Sequence, residues 1–107
     1  MCGILGYFGN KKTKKSVLER RNHFLKLSKK IRHRGPDWNG VYFNGNTNVF
    51  IGHERLSIVG VETGSQPLTT TTSTGGELVL SVNGEIYNHK ELMSSVLHSK
   101  YINKELQ

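Results

Sequence analysis

Apolar and polar positions alternate in blocks that predict a strand and then a helix in the first third of the chain. The run from Gly3 to Phe8 is largely apolar and ends in polar residues, which is typical of a short strand. Ser16 and Glu19 have the spacing of a capping box, and the apolar positions after them follow a helical period. We therefore predict a helix that ends near Lys30, before the Gly35-Pro36 break.

The middle of the chain alternates between predicted strands and turns. Residues 40–43 and 48–53 are typical of two strands, and Asn44-Gly45 in the "NGNT" between them is a strong hairpin signal. The "RLSIVG" stretch, residues 55–60, predicts a further short extended segment. Residues 62–77 are rich in Thr, Ser and Gly, and "TTTTSTGG" within them predicts a surface loop. The β-rich apolar run at residues 78–82 predicts another strand.

A second helix is predicted near the end of the chain. It begins at Asn88 or His89 and continues through Leu92, Val96 and Leu97. Strands that are segregated from helices in this way indicate the α+β class. A chain of 107 residues is long enough for one domain.

The cysteine content and the N-terminal sequence limit the cellular compartments in which the protein is expected. One cysteine excludes an intramolecular disulfide, so a reducing compartment suits the chain. The N-terminus has no basic segment followed by an apolar core, and no stretch is apolar enough to span a bilayer. We predict a cytoplasmic protein with no membrane partner.

The chain is basic, with 15 Lys and Arg against 8 Asp and Glu, a net charge of +7. Much of the excess lies in residues 11–34, where the apolar spacing indicates a helix with a solvated charged face. No zinc-finger spacing or aromatic RNA-binding signature accompanies it, so nucleic acid is not the favoured partner. Binding of an acidic partner or nucleic acid by a non-catalytic basic chain is the alternative function. The histidines lack metal-ligand spacing, and no metal is predicted.

Cys2 can carry nucleophilic chemistry if Met1 is removed. The exposed α-amine would then lie beside the thiol on the same residue. An α-amine is partly unprotonated near neutral pH and can act as the general base for its neighbour. The alternative is that Cys2 is a small apolar residue that begins a strand.

Four further residues fit acyl chemistry. Asn83 has a side-chain amide donor, and Gly84 can bring its backbone N–H close to a ligand, so the pair can form an oxyanion hole. Arg55 can hold a carboxylate with its planar donor fork, and Glu85 can accept an ammonium group. Each also has an ordinary interpretation: an Asn-Gly turn, a surface ion pair and a solvated carboxylate.

The order of the motifs is more specific than any one of them. Cys2-Gly3-Ile4, "RHRGPD" at 32–37, "GHERLSIVG" at 52–60, "QPL" at 66–68 and "NGEIYNH" at 83–89 together resemble the glutaminase domain of the asparagine synthetase branch of class II glutamine amidotransferases. The resemblance runs from Cys2 to about Leu92. A glutaminase from another class II branch is the alternative within this family.

The resemblance implies a fold and a set of site residues. The fold is an N-terminal-nucleophile hydrolase sandwich of two antiparallel sheets with flanking helices. The implied roles are the nucleophile and its own amine base for Cys2, the oxyanion hole for Asn83 and Gly84, the α-carboxylate contact for Arg55, and further substrate contacts for Glu85 and the backbone around Ile58 and Val59. Arg34, Gly35 and Asp37 match a loop beside the nucleophile, with a structural role as the alternative.

The resemblance also implies a reaction and partners. Glutamine would be hydrolysed to glutamate and ammonia, and the ammonia would pass in cis to a synthetase domain that uses aspartate, ATP and Mg²⁺. No cofactor is expected within residues 1–107, and a homodimer is among the implied partners. The chain stops before the Ser-Asp-x-Glu type of block and the strands that would close the sandwich. We therefore expect a partial domain, 1–107, that is inactive alone, with a Lys-rich insertion between Asn10 and Lys15.

Overall fold

The computed structural model describes residues 1–10, 13–58 and 60–95, which form two antiparallel sheets and two helices. The elements are β1 (Gly3–Phe8), α1 (Val17–Lys29), a 3-10 turn (Arg32–Arg34), β2 (Trp38–Asn44), β3 (Val49–Arg55), β4 (Leu68–Thr71), β5 (Glu77–Leu80) and α2 (His89–Ser94). The predicted α+β class is confirmed. Within the described ranges, no helix has the length and apolar content needed to cross a membrane.

The larger sheet has the order β1-β3-β2, and its centre is a row of aromatic side chains. Phe50 on β3 lies directly opposite Tyr7 on β1 and Phe43 on β2, so the three side chains share one face. Phe24 of α1 covers this row, with its ring centroid 4.4 Å from Tyr7 and 5.2 Å from Phe50. Phe24 and Phe50 are both buried, which places the apolar core between α1 and the sheet.

Helix α1 begins at the predicted capping box and packs closely on β3. The Ser16 side chain accepts the Glu19 N–H across 3.1 Å, and the Glu19 carboxylate accepts the Ser16 N–H across 2.7 Å. Because Gly52 has no side chain, α1 can approach the sheet, and a Cβ there would lie 2.8 Å from the Ser28 hydroxyl. Ser28 donates to the buried Glu54 carboxylate across 2.7 Å.

The smaller sheet, β4-β5, lies against the opposite face of the larger one. Side chains alternate between faces along a strand, so His53 and Arg55 point away from α1. His53 contacts Ser81 just after β5, and Tyr42 on β2 donates to Glu77 on β5 across 2.6 Å. The two layers are thus joined on the side of the sheet that carries Arg55.

Several element boundaries differ from the sequence predictions. The predicted Thr-rich loop is wrong in part, because residues 69–71 belong to β4, where β-branched threonines pair with β5. In the "RLSIVG" stretch, where a short extended segment is predicted, Arg55 ends β3 and residues 56–58 belong to no strand, whereas Val59 lies outside the described residues. Strand β5 ends at Leu80 rather than at Val82. Helix α2 begins at the predicted residue, whereas Val96 and Leu97 lie outside the described residues.

Candidate functional site

Cys2 lies at the edge where β1 begins and β3 ends. Gly3 pairs with Glu54, so one further step of the same register places Cys2 beside Arg55. The Cys2 Sγ accepts the Leu56 N–H across 3.4 Å and lies 3.8 Å from the Leu56 carbonyl oxygen. The half-buried thiol therefore rests against the first backbone unit after β3.

Asn83 lies next to Cys2 although most of the chain separates them. Its Nδ2 donates to the Cys2 carbonyl oxygen across 3.2 Å. A primary amide carries two N–H groups, and this bond uses one of them. Gly84 is exposed, and a Cβ added there would meet nothing within 4 Å. The structure thus brings two of the predicted site residues together, and their chemical roles stay predictions.

The "RGPD" block holds the backbone that runs past Cys2. The Asp37 N–H donates to the Arg55 carbonyl across 3.1 Å, and the Asp37 carboxylate accepts the Ser57 N–H across 2.8 Å. Gly35 is buried, and a Cβ there would overlap the carbonyl group of Glu54. These contacts favour the structural interpretation of this loop, which fixes residues 55–57 in front of the thiol.

Arg55 is buried at the end of β3 and borders a cavity of about 530 Å³. Its guanidinium donates to the carbonyl oxygens of Gly60 and Val61, across 2.5 and 3.2 Å. The cavity is also lined by Asp37, Trp38, Ser57, Val61, Glu62 and Ser65. Its volume is within the range of small-molecule sites, roughly 300–1,000 Å³. Cys2, Asn83, Gly84 and Glu85 are not among these lining residues.

Ile58, Val59 and Glu85 are the remaining predicted site residues. Ile58 is 69% exposed. Glu85 is exposed, and no hydrogen bond of its side chain to Cys2 or Asn83 is present in the described part of the chain. Val59 lies outside the described residues. Their predicted substrate contacts stay predictions.

The sequence predicts no metal-binding role for His53, and the structure places this residue in a buried, polar environment. Its Nδ1 lies 2.7 Å from the Ser81 hydroxyl, and its ring is 1% exposed. Burial, followed by the nearby Arg55 charge, lowers the pKa of His53. The position of His53 two residues before Arg55 was the available signal, because it places both side chains on one face of β3.

The family model and the individual relatives that match this chain indicate the same family. The model of the glutamine amidotransferase domain matches residues 1–104. The chain is 51% identical over 92 residues to asparagine synthetase [glutamine-hydrolyzing] 1 of Saccharomyces cerevisiae, covering 86% of this chain and 14% of that protein. It is 49% identical over 92 residues to asparagine synthetase B [glutamine-hydrolyzing] of Escherichia coli, covering 86% and 15%.

A plant relative extends the match. The chain is 41% identical over 101 residues to asparagine synthetase [glutamine-hydrolyzing] 1 of Arabidopsis thaliana, covering 94% of this chain and 16% of that protein. The chain therefore spans 14–16% of the length of these curated relatives. The comparison with solved structures gives no significant match.

Proposed function

This chain belongs to the glutamine amidotransferase domain family, and from that premise we propose that it hydrolyses glutamine to glutamate and ammonia with Cys2 as the nucleophile. The observation that carries the proposal is the contact of Asn83 with Cys2, 3.2 Å between Nδ2 and the carbonyl oxygen. Acyl transfer from an amide requires a nucleophile and a nearby oxyanion donor, and this contact supports Cys2 and Asn83 in those two roles.

The proposed reaction begins once Met1 has been removed. The Cys2 α-amine takes the thiol proton, and the sulfur attacks the side-chain carbonyl carbon of glutamine. The resulting oxyanion accepts hydrogen bonds from the second N–H of Asn83 and from the Gly84 backbone. The C–N bond then breaks, ammonia leaves with the transferred proton, and a glutamyl thioester remains. Water attacks the thioester, releases glutamate and returns the proton to sulfur.

Substrate binding in this proposal depends on Arg55. Its guanidinium would exchange neutral carbonyl partners in the 60–61 loop for the α-carboxylate of glutamine, a stronger charge-assisted bond. Glu85 and the backbone around Ile58 and Val59 would supply the further contacts. The cavity beside Arg55 supports this assignment, because it leaves room for the amino-acid part of the substrate.

We place this reaction at the front of a longer enzyme. Residues 1–107 would form part of an N-terminal-nucleophile hydrolase sandwich, and ammonia would pass to a synthetase domain in cis that uses aspartate, ATP and Mg²⁺ in the cytoplasm, in a homodimer. The share of the relatives' length that is matched supports a longer chain. Leu68, Leu78 and Leu80 are more than half exposed, which supports further covering of the smaller sheet.

The test is the Cys2→Ala variant of the natural polypeptide that contains this segment. We expect glutamine-dependent glutamate release to fall below about one thousandth of wild type, because the nucleophile is lost. Asparagine formation from added ammonia should be unchanged, which controls for folding. Intact mass should show that Met1 is absent from the active protein. Glutamate release that survives in Cys2→Ala contradicts the proposal.

A further inference from the structure

Gln66 makes an unusual pair of hydrogen bonds next to the proposed oxyanion residues. Its side-chain Oε1 accepts the Val82 N–H across 2.7 Å, and its Nε2 donates to the Val82 carbonyl across 3.2 Å. A side-chain amide therefore exchanges both bonds with one backbone unit, and that unit directly precedes Asn83.

These two bonds replace a missing step of the β4-β5 ladder. Leu68 pairs with Leu80, so the same register continued by two residues places position 66 opposite position 82. Opposed residues in an antiparallel ladder can exchange two N–H···O bonds. Position 66 precedes the start of β4 and position 82 follows the end of β5, and the Gln66 side chain forms these bonds instead.

Gln66 is itself held against the larger sheet. Its backbone carbonyl lies so close to Gly40 on β2 that a Cβ at position 40 would overlap it. Gly40 is paired with His53, whose Nδ1 contacts Ser81 across 2.7 Å. The chain on the N-terminal side of Asn83 is thus anchored twice, at Ser81 by His53 and at Val82 by Gln66.

We propose that Gln66 is a positioning residue for the Asn83–Gly84 oxyanion hole, an inference that rests on the proposed function. Among the described residues, Asn83 is held by the 3.2 Å bond from its own side chain to the Cys2 carbonyl. The two bonds from Gln66 fix the backbone one residue earlier. They thereby set the direction from which the Asn83 amide and the Gly84 N–H reach the reacting carbonyl. Displacing such donors by about 1 Å can cost roughly 100-fold in rate.

Two substitutions of Gln66 distinguish the effect of losing both hydrogen bonds to Val82 from the effect of losing one. Gln66→Met keeps the length of the side chain and removes both bonds. Gln66→Glu keeps the acceptor for the Val82 N–H and loses the donor to the Val82 carbonyl. Asn46→Ala is the matched control, because Asn46 is an exposed amide in the turn between β2 and β3. The variants are made in the natural polypeptide, and glutamate release and amide hydrogen exchange are both measured.

We expect faster exchange of the Val82 amide in Gln66→Met, with kcat for glutamate release reduced about 10- to 100-fold and KM for glutamine within about threefold of wild type. Gln66→Glu should show an intermediate kcat, and Asn46→Ala a normal one. A glutamine-derived aldehyde, whose thiol adduct carries an oxyanion, should lose more affinity in Gln66→Met than glutamine does.

Three outcomes overturn the inference. A normal kcat in Gln66→Met with a faster Val82 exchange shows that the anchor is irrelevant to the reaction and leaves the proposed function intact. If Gln66→Met does not fold, Gln66→Glu decides, and an unchanged kcat there overturns the inference. Wild-type protein that releases no glutamate removes the proposed function and this inference together.

Discussion

The side-chain amide of Asn83 donates a hydrogen bond to the backbone carbonyl of Cys2, across 3.2 Å and 81 positions of the chain. This bond ties the residue before β1 to the segment that follows β5. Because Nδ2 carries a second N–H, the same amide can donate to an oxygen atom near the Cys2 sulfur without breaking the existing bond. The proposed catalytic role of Asn83 is therefore compatible with the bond that it makes to Cys2.

Asn83→Ala tests the catalytic role. We expect kcat for glutamine hydrolysis to fall by about 100- to 1,000-fold, because one oxyanion donor is removed, with a much smaller change in KM. Steady-state glutamate release in the natural polypeptide measures both quantities, and the exposed amide variant Asn46→Ala is the control. A raised KM with a normal kcat would show that Asn83 binds the ground state instead.

The local elements were predictable from the sequence because their signals are short-range. The capping box of Ser16 and Glu19 and the hairpin at Asn44-Gly45 depend on residues within four positions of each other. Strand β4 was missed for the opposite reason. Its threonines are polar and look like loop residues, and only pairing with β5 makes residues 69–71 a strand.

The sequence predicts those residues of the site that belong to recognisable motifs. The motifs placed Cys2 and Asn83 in one site, and the structure brings them into contact. The anchoring by Gln66 and the burial of His53 were not predictable, because both depend on how the smaller sheet sits on the larger one. No spacing within the sequence encodes that arrangement.

Arg55→Lys tests the carboxylate contact. A lysine keeps the charge and loses the planar fork that reaches two loop carbonyls and would grip a carboxylate. We expect KM for glutamine to rise about 10- to 100-fold, since a bidentate charged pair is replaced by a single point charge. The exposed helix variant Arg21→Lys is the matched control, and a KM unaffected by Arg55→Lys would contradict the assignment.

Gly35→Ala tests the packing of the "RGPD" loop on β3. The added methyl group would overlap the backbone carbonyl of Glu54, which cannot move without shifting Arg55. We expect the free energy of unfolding to fall by about 1–3 kcal/mol or more, the typical cost of overpacking. Urea unfolding measures this change.

Gly6→Ala is the control for that substitution. A Cβ at Gly6 would meet only the Phe8 ring, at an ordinary 3.5 Å, in an exposed part of β1. We expect a change within about 0.5–1 kcal/mol of wild type. Equal effects of the two alanines would show that the loss of glycine flexibility, and not the contact with Glu54, determines the stability.

The buried His53 predicts that stability falls on mild acidification. Burial and the Arg55 charge lower its pKa from the ordinary value of 6.5, and the Glu54 charge opposes this only in part. The unfolded chain therefore binds a proton at His53 more readily than the folded one. Stability should decrease as the pH falls through about 6.5, and should stop decreasing from this cause below the folded-state pKa.

His53→Asn separates this effect from other acid-sensitive groups. The asparagine amide can occupy the place of Nδ1 beside Ser81 and does not titrate. Urea unfolding at pH 7.5 and pH 5.5 should show a smaller loss of stability in His53→Asn than in wild type, whereas the exposed variant His33→Asn should behave as wild type. Between these pH values, only the wild type can take up a proton at position 53. An identical pH dependence of stability in His53→Asn and wild type would therefore show that His53 does not cause the acid destabilisation.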